Sequence, residues 1–206
     1  PRYGAVETPA EGRLYARFLE ENRGRFGGVI LSLPNFGDEN GAAAALRNAG
    51  VPILIQAYPD ELDKMAPELR RDAFCGKMSI MDVFYQNGIK FTALKPHVAH
   101  PASERFRANV EHFDRVCRVV NGMRNMVVGA VGARTTAFKT VRIDELALQR
   151  HGITMETLDL SDIFERMRKL APEAQAYQHK AEGLRGYTSW EGVPQRAFDR
   201  LVRLGV

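Results

Sequence analysis

The chain has 206 residues, 45% of them hydrophobic and 26% charged, and its 29 Lys+Arg against 25 Asp+Glu give a net charge of +4. That excess is small and dispersed, which excludes a nucleic-acid-binding stripe; the only dense basic groups, Arg70–Arg71 and Arg166–Lys169, read as solvated helix faces. No run approaches the ~18 apolar residues of a membrane span, no secretory leader is visible, and two cysteines make no disulfide framework, so a reducing cytoplasm is the expected location.

In chain order, a first helix is expected over Thr8–Arg25, with Thr8 as N-cap, Pro9 at its first position and Leu14, Phe18 and Leu19 as its apolar stripe. Gly28–Leu33 reads as a strand broken by Pro34–Asn35–Phe36–Gly37. Asp38 then caps a helix over Glu39–Asn48, ended by Gly50, and Val51–Ala57 is a second strand. Leu62–Arg71 is a charged connector. Phe74–Asn87 is helical from about Met78, Ile89–Leu94 is a short strand, and Lys95–Pro101 is a loop with two histidines. Ala102–Arg124 is a long helix, because Phe106, Val110, Phe113, Cys117 and Val120 follow spacings of 4, 3, 4 and 3.

Met126–Val131 is apolar and β-branched, as in a buried parallel strand. Val141–Arg150 has helical spacing and is stopped by Gly152. Ile153–Leu160 is the next strand, and Ser161 caps a helix with Ile163, Phe164, Met167 and Leu170 on its inner face. Glu173–Leu184 and Pro194–Leu204 read as two closing helices. The recurring strand–helix order predicts an α/β fold: two Rossmann-like three-layer units with mostly parallel sheets, 1–100 and 101–206. A strand ordinarily precedes the first helix of such a unit. With a start at Pro1 and an end just after an amphipathic helix, the chain is expected to be a piece of a longer polypeptide.

Ligands of open α/β sheets gather at the carboxyl ends of the strands. The Gly132–Arg142 loop lies at such an end and offers Arg134, Thr135, Thr136, Lys139, Thr140 and Arg142 to a phosphate or a polyol, without the spacing of a dinucleotide or P-loop motif. Asn35 stands at the equivalent place in the first unit and can both donate to and accept from a sugar hydroxyl. Asp38 and Glu39 are explained as helix-start residues. His97-x-x-His100 is half a zinc spacing with no second pair, and a lone buried thiol is the default for Cys75. No Ser-His-Asp arrangement and no marked acid–base pair is apparent.

SLPNFGDE (Ser32–Glu39), PILIQAYPDE (Pro52–Glu61), FCGKMSIMDVFYQNGIKFT (Phe74–Thr92), FDRVCRVVNGMRN (Phe113–Asn125) and GAVGARTTAFKTVR (Gly129–Arg142) together resemble the bacterial sugar isomerases related to L-fucose and L-arabinose isomerases. Two departures, at Thr135 where the family pattern has a proline and at Lys139 where it has an asparagine, bear on the sugar more than on the fold. The resemblance implies an aldose–ketose isomerase that moves a hydrogen between C1 and C2 through an enediol, with Mn²⁺ polarising the oxygens. It implies that the two carboxylates and the histidine that hold the metal lie beyond Val206. The chain would then be the amino-terminal portion, inactive and metal-free alone, contributing fold, homo-oligomer contacts and part of the sugar site. The substrate-binding residues so indicated are Asn35, Lys77, Met78, Ser79, Arg134 and Lys139. A non-catalytic sugar-binding α/β module is the alternative, and a small-molecule sugar is the expected partner in either case.

Overall fold

The structure, a computed structural model, describes residues 4–132, 137–138 and 140–206. They form two compact units, Pro1–Arg124 and Asn125–Val206. Both are α/β with parallel strand pairing.

The first unit contains α1 (Pro9–Glu21), β1 (Val29–Leu33), α2 (Glu39–Leu46), β2 (Ile53–Ala57), α3 (Ala73–Gln86) and α4 (Glu104–Met123). Side chains set the helix starts. Thr8 Oγ1 accepts from the Glu11 backbone N–H at 3.3 Å, and the Glu11 carboxylate accepts in turn from the Glu7 N–H at 2.9 Å. Asp38 accepts from the Gly41 N–H, and Ser103 accepts from the Phe106 N–H at 3.2 Å. α3 starts at Ala73, upstream of the Met78 start that the sequence pattern indicates. The Asp60 carboxylate, remote in sequence, accepts the Ala73 N–H at 3.1 Å and so caps the helix from outside it. Asp72, at the N-cap position with φ 51°, makes no cap bond and pairs instead with Arg70 at 2.8 Å.

β1 and β2 run parallel, Val29 opposite Ile53 and Leu33 opposite Ala57. On the far side of β2, Thr92 and Val98 form single parallel bridges to Leu54 and Ala57. The strand expected over Ile89–Leu94 is thus reduced to the bridge at Thr92; Pro96, soon after, has no N–H with which to extend a ladder. Every residue of β2 is buried. Ile53, Ile55 and Ala57 join Leu33, Leu46, Ile80 and Phe84 in one core, while Leu54 packs on Phe113 and Cys117 of α4. Cover on both faces is what a parallel strand requires, and each large apolar side chain so buried contributes about 1.5–3 kcal/mol.

α4 belongs to this first unit, although the sequence pattern places the boundary near Pro101. Gly28 lies so near α4 that a β-carbon there would stand 2.5 Å from Cys117 Sγ, and Arg124 donates to Gly50 O. α1 and α2 also meet at backbone range: a β-carbon on Gly12 would stand 2.3 Å from Gly41 O. The alanine-rich run Ala42–Ala45 leaves room for that approach.

The second unit contains β3 (Val127–Val131), α5 (Glu145–Arg150), β4 (Thr154–Leu158), α6 (Leu160–Lys169), α7 (Gln175–Tyr187) and α8 (Gln195–Leu204). β3 and β4 are parallel, Val127 opposite Thr154 and Val131 opposite Leu158. The expected burial of β3 is not found: Val127 is 59% and Val131 54% exposed. A two-stranded sheet leaves much of both faces open, and Gly129 and Ala130 offer little side chain for a neighbour to cover. α6 is capped by Asp159 and not by Ser161; Asp159 Oδ1 accepts from the Ser161 N–H at 2.7 Å and hydroxyl at 2.6 Å. α5 is a short helix that starts only after Asp144, which accepts from the Ala147 N–H. α7 and α8 close on a small core of Tyr177, Ala181, Phe198 and Val202. Among the described residues no helix is long and apolar enough to cross a membrane.

Candidate functional site

Because β1 and β2 are parallel, both end at the same edge of the first sheet, and three connections meet there. Pro34–Asp38 follows β1, Tyr58–Asp72 follows β2, and 95–103 follows the bridge at Thr92. Backbone bonds hold them in place: the Tyr58 N–H donates to Leu33 O at 2.9 Å, the Ala99 N–H to Ala57 O at 3.0 Å, and the Phe36 N–H to Arg71 O at 2.7 Å.

Arg71 links two of these connections through its side chain. Its guanidinium reaches Glu61 Oε1 from Nε at 3.1 Å and from Nη2 at 2.9 Å, donates through Nη1 to Pro34 O at 3.2 Å, and lies 5.8 Å from the centre of the Tyr58 ring. Lys64 pairs with the same carboxylate. Lys64 first, and Arg71 second, hold the Glu61 carboxyl below its usual value. The sequence pattern assigns Arg71 to a solvated helix face, but residues 62–72 are not helical. A spacing argument cannot find a residue whose partners are remote in sequence.

The third connection carries the two histidines, both exposed. The His97 ring lies 6.2 Å from that of Phe74, and the His100 ring meets Tyr58 edge-on at 5.6 Å. The peptide Lys95–Pro96 is cis. Beneath this loop Gln56 donates to Ala99 O at 2.6 Å and accepts from the Ser32 hydroxyl at 2.6 Å. A glutamine inside the apolar run VPILIQA was a readable sign that β2 ends in a polar relay.

The residues indicated by resemblance differ in their burial and in the cavities they line. Asn35 is exposed on the first connection. It lines a cleft of about 510 Å³ between β1 and Gly4–Glu7, with Tyr15, Asp38 and Ile80 also in its walls. β1 pairs only with β2 among the described residues, so its other edge faces this cleft. Lys77, Met78 and Ser79 follow one another on α3 and therefore point about 100° apart. Met78 is 57% exposed and Ser79 is half-buried. Lys77 is buried, 2% exposed, and its Nζ donates to His97 O at 2.7 Å. Burial pushes its pKa down. Arg134 and Lys139 lie outside the described residues. Cys75 is exposed, contrary to the buried default; with α3 starting at Ala73 it falls in the first turn, at the sheet edge, while Lys77 turns inward. The buried thiol is Cys117, whose pKa burial raises.

Among the described residues no three His, Cys, Asp or Glu side chains converge to hold a metal ion. A Mn²⁺ centre would require such a converging set. What the edge offers is a rim of hydrogen-bonding and aromatic groups on rigid supports, suited to binding and orienting a polar molecule.

A family model described as the N-terminal domain of fucose/sulfoquinovose isomerase matches residues 1–124. The match ends where the first compact unit ends. No curated protein matches the chain.

Proposed function

The chain belongs to the fucose/sulfoquinovose isomerase family through its N-terminal domain, and on that premise we propose that it is the amino-terminal portion of an aldose–ketose isomerase whose first unit presents part of the sugar site. The observation that carries the reading is the coincidence of the family domain with a compact unit whose strand-end loops are cross-tied by Arg71. Isomerisation moves a proton between adjacent carbons and needs a base, an acid and stabilisation of an enediolate oxygen. In this reading Mn²⁺ and the proton-transferring carboxylates come from elsewhere in the full-length homo-oligomer. This chain's residues bind and orient: in the first unit Asn35 and Ser79 serve sugar hydroxyls and Met78 an apolar face of the ring, and in the second unit Arg134 and Lys139 serve polar or anionic substituents.

The test is turnover. Full-length protein and the 206-residue chain are each incubated with Mn²⁺ and L-fucose, L-arabinose or sulfoquinovose, and ketose formation is followed by NMR. Ketose from the full-length protein alone supports the reading. Sugar binding to the full-length protein with no ketose from any of the three supports the non-catalytic module instead.

A further inference from the structure

A buried ammonium is costly when no carboxylate answers it. Lys77 is one of the two buried polar or charged side chains among the described residues, and no acidic group pairs with it there. Among the described residues its hydrogen-bond acceptor is a backbone carbonyl, His97 O, at 2.7 Å. A methionine would fill the same volume without the desolvation cost, so packing alone does not explain a lysine here.

The amine is also closed to a sugar. The cavity that Lys77 lines with Gln56, His97 and Asn109 holds about 10 Å³, room for at most one water-sized molecule. What the amine touches is the loop that carries His97 and His100 at the carboxyl edge of the sheet. Among the described residues two further hydrogen bonds join that loop to β2, the Ala99 N–H to Ala57 O and Gln56 Nε2 to Ala99 O. Both act on Ala99. Lys77 supplies a tie to His97 itself.

We propose that Lys77 is a positioning residue: it grips the His97 carbonyl from beneath and so fixes the exposed His97 imidazole at the rim where the sugar is bound. The proposal rests on the isomerase reading for the identity of the ligand. The tether stands independently of that reading. Lys77 acts through His97 and touches no substrate, which differs from the direct sugar contact that the family resemblance implies for it.

The experiment uses full-length protein with Lys77→Met, His97→Ala and the double variant. Lys77→Met removes a buried charge and keeps volume, so its melting temperature should equal or exceed the parent's. Hydrogen exchange of a peptide covering 95–103 should quicken by about tenfold, while exchange in β1 and β2 stays as it was. The value of kcat/KM for the sugar should fall by about 10- to 100-fold, and the double variant should lose no more than the worse single one. Unchanged exchange over 95–103 would overturn the tether, and additive losses would overturn action through His97. Should Lys77→Met not fold, Lys77→Gln carries the same measurements. If the full-length protein isomerises no sugar, the functional reading fails, and the exchange measurement alone still decides whether the amine holds the loop.

Discussion

A β-carbon placed on Gly76 of α3 would stand 3.0 Å from the Phe36 Cα. The helix therefore rests on the backbone of the first strand-end loop, and any side chain there would crowd it. Gly76→Ala should push α3 and the Asn35 loop apart and destabilise the protein by about 1–3 kcal/mol, measured by chemical denaturation. Gly122→Ala in α4 is the control. Nothing lies within 4 Å of a β-carbon there, so it should stabilise by about 0.5–1 kcal/mol.

Arg71 joins Pro34 O, Glu61 and the Tyr58 ring, yet its side chain is 38% exposed. Arg71→Ala should cost little stability, within about 1 kcal/mol, while lowering sugar turnover by loosening two loops at once. Arg71→Lys should not restore turnover, since an ammonium cannot make the paired bonds to Glu61 and also reach Pro34. The Glu61 carboxyl is held below its usual value of 4.5 by Lys64 and Arg71. Its contribution is present above that value and is lost as pH falls through the lower folded-state value. Acid titration of stability should show this limb weakened in Arg71→Ala.

Lys77 has the opposite sign. Its folded-state pKa lies below the ordinary lysine value of 10.5. Between the two values the unfolded chain holds a proton that the folded chain lacks, so stability rises with pH across that window. The groups facing it, His97 and the amides of Gln56 and Asn109, carry no negative charge to oppose the trend. Denaturation midpoints of the parent and Lys77→Met should differ by an amount that narrows as pH rises toward 10.5.

In the second unit, Arg134→Ala should reduce kcat/KM by about 10- to 150-fold, the worth of one charged hydrogen bond, at unchanged melting temperature. Unchanged kcat/KM would remove Arg134 from the site, and a large loss of stability would mark it as structural.

Much of the first unit was legible because its determinants are local. Thr8, Pro9 and Asp38 mark helix starts, and the 4-3-4-3 spacing from Phe106 to Val120 draws α4. The α/β class follows from the recurring strand–helix order. What escaped is what depends on distant partners. α3 starts early because Asp60 caps it, Arg71 links two loops because Pro34 and Glu61 lie beside it, and Lys77 faces inward onto His97 O, a partner remote in sequence. The exposure of β3 likewise depends on what stacks against it, which the run VVGAV does not record. Asp159 in place of Ser161 at the start of α6 is a shift between neighbours of equal capping ability.

The central claim is that the carboxyl edge of β1 and β2 faces the sugar. Hydrogen exchange of the full-length protein, with and without saturating sugar, tests it most directly. Protection gained in 34–38, 58–72 and 95–103, with β1 and β2 unchanged, is the predicted result. Full sugar occupancy with no change in any of those three segments would contradict it.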